Sequence, residues 1–152
     1  MILVTVGTQF FDELIDEVDR LASRGAFDRP VLAQIGLSRH IPRHVAHVRF
    51  DRQLLEKAAS AELIISHAGT GSLCEFIPLG RPTIAVVNDT KAENHQLEFV
   101  RALSEVCDFC WIDSPSKLAE ALPLARPPRL HNPLGAANLA SQIAASCCPV
   151  VC

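Results

Sequence analysis

A run of glycines and hydroxyl side chains in the middle of the chain has the composition of a phosphate-binding loop. Residues 64–72 read Ile-Ile-Ser-His-Ala-Gly-Thr-Gly-Ser, and Glu75 follows shortly after. The free N–H groups and positive dipole at a helix start bind phosphate, and glycine lets the backbone approach a ligand closely. A carboxylate one turn into that helix is placed to accept hydrogen bonds from a ribose. The pattern predicts a nucleotide or nucleotide-sugar site, formed by His67, Gly69, Thr70, Gly71, Ser72 and Glu75.

Other nucleotide-binding loops fit this segment less well. It is not a Walker A loop, because no Gly-Lys-Ser/Thr follows. Gly69 and Gly71 match a dinucleotide fingerprint and Asp89 lies at a suitable distance, but Cys74 occupies the position of the third glycine. That fingerprint also belongs to the first βαβ unit, whereas this loop follows a mid-chain strand. The sequence therefore disfavours an NAD-dependent oxidoreductase without excluding it.

Two further segments place polar residues directly after apolar runs. Gly7, Thr8 and Gln9 follow the run at residues 1–6, and Asn94-His95-Gln96 comes after the run at residues 83–87. Amide, hydroxyl and imidazole groups suit recognition of phosphate oxygens and sugar hydroxyls. An ordinary turn and a polar helix start are the alternatives for these two segments.

Two side chains of the central segment also have simpler interpretations. His67 is either a hydrogen-bond donor to the ligand or a packed loop histidine. Glu75 is either a ribose contact or a surface carboxylate near a helix N-terminus. The sequence leaves both alternatives open.

The elements that must position these residues alternate between strand and helix. Phe11, Leu14, Ile15, Val18 and Leu21, for example, recur at helical spacing. Such βα units with continuously apolar strands predict an α/β fold, a parallel sheet with helices on both faces, and ligands bind beyond the carboxyl ends of such strands. The predicted strands span 1–6, 31–35, 45–50, 62–66, 83–87 and 109–112, the helices 11–23, 52–60, 72–79, 93–105, 115–122 and 134–146, and a proline-rich loop 123–133.

Composition limits the classes of function. The chain has 152 residues, 49% hydrophobic and 20% charged, which predicts one folded domain over 1–146 and a cysteine-rich tail, flexible in one interpretation, over 147–152. A net charge of −3 argues against nucleic-acid binding. The apolar start lacks the basic region of a signal peptide, and no apolar run approaches the length of a membrane span. We therefore expect a cytoplasmic protein.

The cysteines and the basic residues each have two interpretations. The six cysteines include the Cys107/Cys110 pair and three in the tail, and they are either small apolar thiols or, with the tail, a zinc site. No other pattern indicates a metal site. Residues 39–52 contain four arginines and three histidines, which form either a solvated face or a contact with an anionic lipid or a partner.

Taken together and in this order, the three polar segments resemble the nucleotide-sugar-binding half of glycosyltransferase family 28. The resemblance is carried by Val-Thr-Val-Gly-Thr at 4–8, the 64–72 segment with Glu75, Leu-Gly-Arg-Pro at 79–82, and Asn-His-Gln with Glu98. It is greatest with stand-alone subunits, namely the small catalytic subunit of the eukaryotic dolichol-linked GlcNAc transferase and subunits of bacterial exopolysaccharide assembly. Gln9 favours the bacterial type. The implied fold is the C-terminal half of a GT-B glycosyltransferase.

The resemblance implies a role for each matching residue. The 67–72 loop would hold the diphosphate of a UDP-sugar, Glu75 the ribose, and the backbone at Phe50 the uracil edge. The first and third polar segments would face the diphosphate and the donor sugar. The implied substrate-binding residues are Gly7, Thr8, Gln9, Phe50, His67, Gly69, Thr70, Gly71, Ser72, Glu75, Asn94, His95 and Gln96.

The resemblance also implies what this chain lacks. The acceptor-binding half, with the general base, would be a membrane-anchored partner that brings this chain to the inner face of the membrane; His67 and His95 are the candidates for a base here. The implied reaction is inverting transfer from a UDP-sugar to a polyprenyl-diphosphate-linked glycan, without metal or cofactor. Glucuronic acid, glucose and GlcNAc are all open as the donor sugar. A non-catalytic nucleotide-binding module of the same fold is the alternative.

Overall fold

The computed structural model describes residues 1–88 and 95–131, and a six-stranded parallel sheet is its centre. The strands are β1 Ile2–Thr5, β2 Val31–Gln34, β3 Ala46–Val48, β4 Leu63–His67, β5 Thr83–Val86, β6 Cys107–Asp108, β7 Cys110–Ile112 and β8 Arg129–Leu130; the α-helices are α1 Asp12–Ser23, α2 Leu54–Ser60, α3 Thr70–Phe76, α4 His95–Ser104 and α5 Leu118–Ala121.

The main sheet has the order β3-β2-β1-β4-β5-β7, and all its pairings are parallel. The chain builds outward from β1 to β3 and then crosses to β4 on the other side of β1. This change of direction creates a crevice at the carboxyl ends of β1 and β4, where ligands bind in open α/β sheets. The predicted fold class is confirmed.

The strands are apolar on both faces because helices cover both. Val4, Ile65 and Ile84 pack with α1 and α5, whereas Leu3 and Ile64, which alternate with them along the strands, pack with α2 and α3. Helix α4 lies over Ala85 and Val87, on the same face as α2 and α3. Both faces of the sheet are thus in the core, as the continuous apolar strands predicted.

The glycine-rich loop is shorter than predicted. His67 is the last residue of β4, and α3 begins at Thr70 rather than at residue 72. Gly69 is the N-cap, with extended φ −71° and ψ 135°, and its carbonyl accepts from the N–H of Leu73 (3.0 Å). Pro78 cannot continue the α-helix, so Ile77–Leu79 form a 3₁₀ turn.

The region after α4 also differs from the prediction. The predicted loop 123–133 contains β8, which pairs antiparallel with β6, and the predicted helix 115–122 is α5 flanked by the 3₁₀ turns Pro115–Lys117 and Leu122–Leu124. A strand of two residues has no hydrophobic period, so the sequence pattern missed it. The predicted helix 134–146 and the tail 147–152 lie outside the described residues.

The structure separates the two cysteines of the CxxC motif between two strands. Cys107 lies in β6 and Cys110 in β7, and both are free and buried. Burial raises the pKa of each thiol, which keeps it protonated and unreactive. No group of three metal-ligating side chains occurs within residues 1–88 and 95–131, and the tail cysteines of the zinc hypothesis fall outside these ranges.

Candidate functional site

The imidazole of His67 fills the crevice between the ends of β1 and β4. His67 is only 4% exposed. A Cβ atom added to Gly7 would lie 2.6 Å from its Cε1 atom, and one added to Gly69 would lie 2.3 Å from its Nε2 atom. Both distances are shorter than van der Waals contact, so each glycine is required by the ring beside it. The ring of His67 therefore packs between the two glycine loops.

The first turn of α3 adjoins this ring and faces open space. The N–H groups at the start of an α-helix have no acceptor within the helix, so those of Thr70, Gly71 and Ser72 are available to other acceptors. A Cβ atom on Gly71 would meet nothing within 4 Å. Glu75 is exposed and lies four residues after Gly71, on the same side of α3. The predicted diphosphate and ribose positions thus share one open helix face.

Gln34, at the end of β2, joins the loops that follow β1 and β3. It is 5% exposed. Its Nε2 donates to Oγ1 of Thr5 (3.3 Å) and to the carbonyl of Gly7 (3.4 Å), and its Oε1 accepts from the N–H of Asp51 (2.9 Å). Asp51 is also paired with the ammonium of Lys57. This buried amide fixes the backbone beside Gly7 relative to the backbone after β3.

Phe50 lies just after β3, with its side chain 55% exposed. Its neighbour Asp51 is fixed by Gln34, so the backbone here is held in place. Strands lie about 4.8 Å apart, so the end of β3 is about 14 Å from the end of β4. The predicted contact between the Phe50 backbone and the uracil ring is therefore on the opposite side of β1 from α3.

Two side-chain hydrogen-bond bridges connect the loop after β1 to residues that follow β5. Gln96, in α4, accepts from the N–H of Asn88 (3.0 Å) and donates to Oε1 of Gln9 (3.2 Å). Asn88 donates through Nδ2 to the carbonyl of Phe10 (2.9 Å) and is 3% exposed. Gln9 and Gln96 are therefore brought together, as their assignment to one site requires.

Three predicted substrate-binding residues remain: Thr8, His95 and Asn94. Thr8 is exposed, and so is His95, whose Nδ1 lies 3.8 Å from a carboxylate oxygen of Glu98. Asn94 lies outside the described residues.

The basic stretch is held by acidic residues of α1. Asp12 accepts from the N–H groups of Arg39 (2.5 Å) and His40 (2.9 Å), and Asp19 accepts from those of Arg43 (2.9 Å) and His44 (2.6 Å). Burial alone would raise the pKa of Asp19, but the hydrogen bonds from His44 and Arg43 lower it overall. These contacts hold the backbone of the basic stretch against α1.

Sequence reasoning missed the buried amides that hold the site together. Gln34 and Asn88 each stand at the carboxyl end of an apolar strand, and that position is the signal that could have identified them. Apart from Gln96, eight residues after Asn88, their partners could not have been found from the sequence, because they lie 17 to 78 residues away along the chain.

A comparison with protein families identifies the chain. The model of the glycosyltransferase family 28 C-terminal domain matches residues 1–145. The chain belongs to glycosyltransferase family 28. The family predicted from the three polar segments is therefore confirmed.

Family 28 relatives with curated names include eukaryotic and bacterial proteins. The chain is 36% identical over 115 residues to the human UDP-N-acetylglucosamine transferase subunit ALG13, covering 67% of this chain and 10% of that protein. It is 30% identical over 116 residues to the UDP-N-acetylglucosamine–N-acetylmuramyl-(pentapeptide) pyrophosphoryl-undecaprenol N-acetylglucosamine transferase of Sorangium cellulosum, covering 67% of this chain and 29% of that protein. The chain thus spans about a tenth of the length of the human and mouse relatives.

Solved structures show the same fold. The solution structure of ALG13 matches with a TM-score of 0.55 at 22% identity, covering 94% of this chain and 96% of that one. The calicheamicin glycosyltransferase CalG4 matches with a TM-score of 0.57 at 22% identity, covering 82% of this chain and 34% of that one. The chain thus has the fold of one part of a GT-B glycosyltransferase.

None of the helices within residues 1–88 and 95–131 is long and apolar enough to cross a membrane.

Proposed function

We propose that this chain is the donor-binding subunit of a two-part inverting glycosyltransferase that takes a sugar from a UDP-sugar. The observation that carries the proposal is the match of the family 28 C-terminal domain to residues 1–145. The open face of α3 beside the β1/β4 crevice supports it, because Gly71 leaves space there and Glu75 stands on the same side.

In this proposal the chain stabilises the leaving nucleoside diphosphate with fixed donors. The first-turn N–H groups of α3 hold the diphosphate, Glu75 accepts from the ribose hydroxyls, and Gly7, Thr8 and Gln9 contribute from the opposite side of the crevice. Preorganised donors of this kind lower the barrier because they need no reorganisation as charge develops on the leaving group. His67 holds the two glycine loops apart rather than moving a proton.

The acceptor in this proposal is a polyprenyl-diphosphate-linked glycan, and a partner subunit binds it. The names of the first relatives support a subunit that acts with another and a GlcNAc donor, and the Sorangium relative's name includes a pyrophosphoryl-undecaprenol. The partner supplies the general base and the membrane anchor. In this proposal the product is used in exopolysaccharide or glycolipid assembly. Gln9 favours exopolysaccharide assembly.

Isothermal titration calorimetry tests the donor site directly. The purified chain is titrated with UDP, UDP-GlcNAc, UDP-glucose, UDP-glucuronic acid and NAD. We expect binding of UDP and of one UDP-sugar in preference to the others, and no binding of NAD. Binding of NAD without binding of UDP would contradict the proposal and favour the oxidoreductase alternative.

A further inference from the structure

The Gln9–Gln96 contact fixes which end of each amide faces its partner. The N–H of Asn88 can only donate, so the Gln96 atom that faces it at 3.0 Å is the oxygen. The nitrogen of Gln96 must then face Gln9, and because this nitrogen can only donate, the Gln9 atom at 3.2 Å is also an oxygen. One backbone N–H therefore sets the orientation of two side-chain amides in succession.

The backbone of Gln9 is held as firmly as its amide. Its N–H donates to the carbonyl of Val6 and its own carbonyl accepts from the N–H of Leu37, both at 3.2 Å. The parallel bridge from Asn88 to the carbonyl of Phe10 fixes the next residue. With both ends of the side chain fixed, Nε2 of Gln9 and its two N–H groups are directed away from Gln96.

We propose that Gln96 is a positioning residue, which holds Gln9 so that the Gln9 amide donates to an oxygen of the diphosphate of the bound nucleotide sugar. This inference rests on the proposed function and changes the role that the family resemblance implies for Gln96. Gln96 then acts on the ligand through Gln9 instead of contacting it. The Gln9 amide is then a donor whose direction is set by Gln96.

A double-mutant cycle distinguishes an indirect role from a direct one. UDP affinity is measured by calorimetry for the wild type, Gln9→Met, Gln96→Met and the double variant, with Ser104→Ala at the other end of α4 as the control. Each single methionine variant is expected to lower UDP affinity about 5- to 10-fold, as loss of one hydrogen bond does. Gln96→Met is expected to add less than about twofold in the Gln9→Met background, since coupled residues are not additive.

Other results overturn the inference. Multiplicative losses in the double variant would show that Gln96 contacts the ligand itself, and an unchanged affinity in either single variant would show that the pair does not act on the ligand. A wild-type chain that does not bind UDP would overturn the proposed function and this inference with it.

The bridge itself is tested without any ligand. In NMR spectra of the free protein, Gln96→Met is expected to move the backbone amide resonance of Asn88 upfield, because that N–H loses its acceptor. An unchanged Asn88 resonance would overturn the positioning geometry even if UDP binds. A missing bridge and a missing donor site therefore give different results.

Discussion

Gly7, Gly69 and Gly71 satisfy three different requirements at the residue scale. Gly7 combines a φ of +61° with a close contact to the His67 ring, so both its backbone and its lack of a side chain are needed. Gly69 has an ordinary φ, and only the proximity of the ring requires glycine there. Gly71 has free space around it, so the described residues give no packing reason for a glycine. A ligand at the start of α3 would supply that reason.

Alanine at the two α3 glycines should therefore have opposite effects. Gly69→Ala should lower the free energy of unfolding by about 1–3 kcal/mol, because its methyl group collides with His67. Gly71→Ala should leave stability unchanged or raise it by up to about 1 kcal/mol, yet weaken UDP binding. Urea unfolding and calorimetry measure the two quantities. Full UDP affinity in Gly71→Ala would show that no ligand approaches this residue closely.

Glu75 provides a second test at the residue scale. Glu75→Ala should weaken UDP binding by about 1–3 kcal/mol if hydrogen bonds to the ribose are lost. Glu56→Ala removes an exposed carboxylate from α2 and serves as the matched control, with no expected change. Equal affinities for UDP in both variants would refute the ribose assignment.

At the scale of elements, α1 fixes the segment between β2 and β3. Asp19 is 7% exposed and accepts two backbone N–H groups, from Arg43 and His44, while its carboxylate also lies 3.3 Å from Nδ1 of His44. This segment lacks regular structure before β3, so its polar backbone groups need such partners. The histidines that suggested a basic face in the sequence are thus partners of an acidic helix.

The pH dependence of stability should reflect this contact. The pKa of Asp19 is lowered in the folded protein, so its stabilising effect is complete above about pH 5 and is lost as the pH falls through the folded-state pKa. Asp19→Ala should lower the free energy of unfolding by about 1–3 kcal/mol at pH 6 and by less near pH 2. Glu13→Ala, which removes an exposed carboxylate of α1, is the control. A pH-independent cost would show that the carboxylate charge is not responsible.

At the scale of the whole molecule, the proposed donor site lies along one edge of one sheet. The crevice, the α3 face and the Gln9 loop all lie at the carboxyl ends of the strands. Within the described residues, no second domain faces this edge to complete a GT-B cleft. In the proposed function, a partner subunit supplies the opposite wall.

Transfer should consequently require that partner. The purified chain, incubated with a radiolabelled UDP-sugar and a polyprenyl-diphosphate-linked glycan, should give no lipid-linked product, although it binds UDP. Adding a membrane-anchored acceptor-binding subunit should restore product formation, which thin-layer chromatography detects. Product formed by the chain alone would contradict the two-part proposal.

The sequence by itself determined the alternation of strands and helices, the parallel sheet and the family, because apolar periodicity and the glycine-hydroxyl segments are local signals. Tertiary structure decided which polar groups of these segments contact one another. His67 was a candidate base in the sequence, but the sheet order places its ring between Gly7 and Gly69. Gln96 was a candidate sugar contact, but folding brings it to Gln9, 87 residues earlier in the chain. Such pairings depend on strand order and register, which no local pattern of residues encodes.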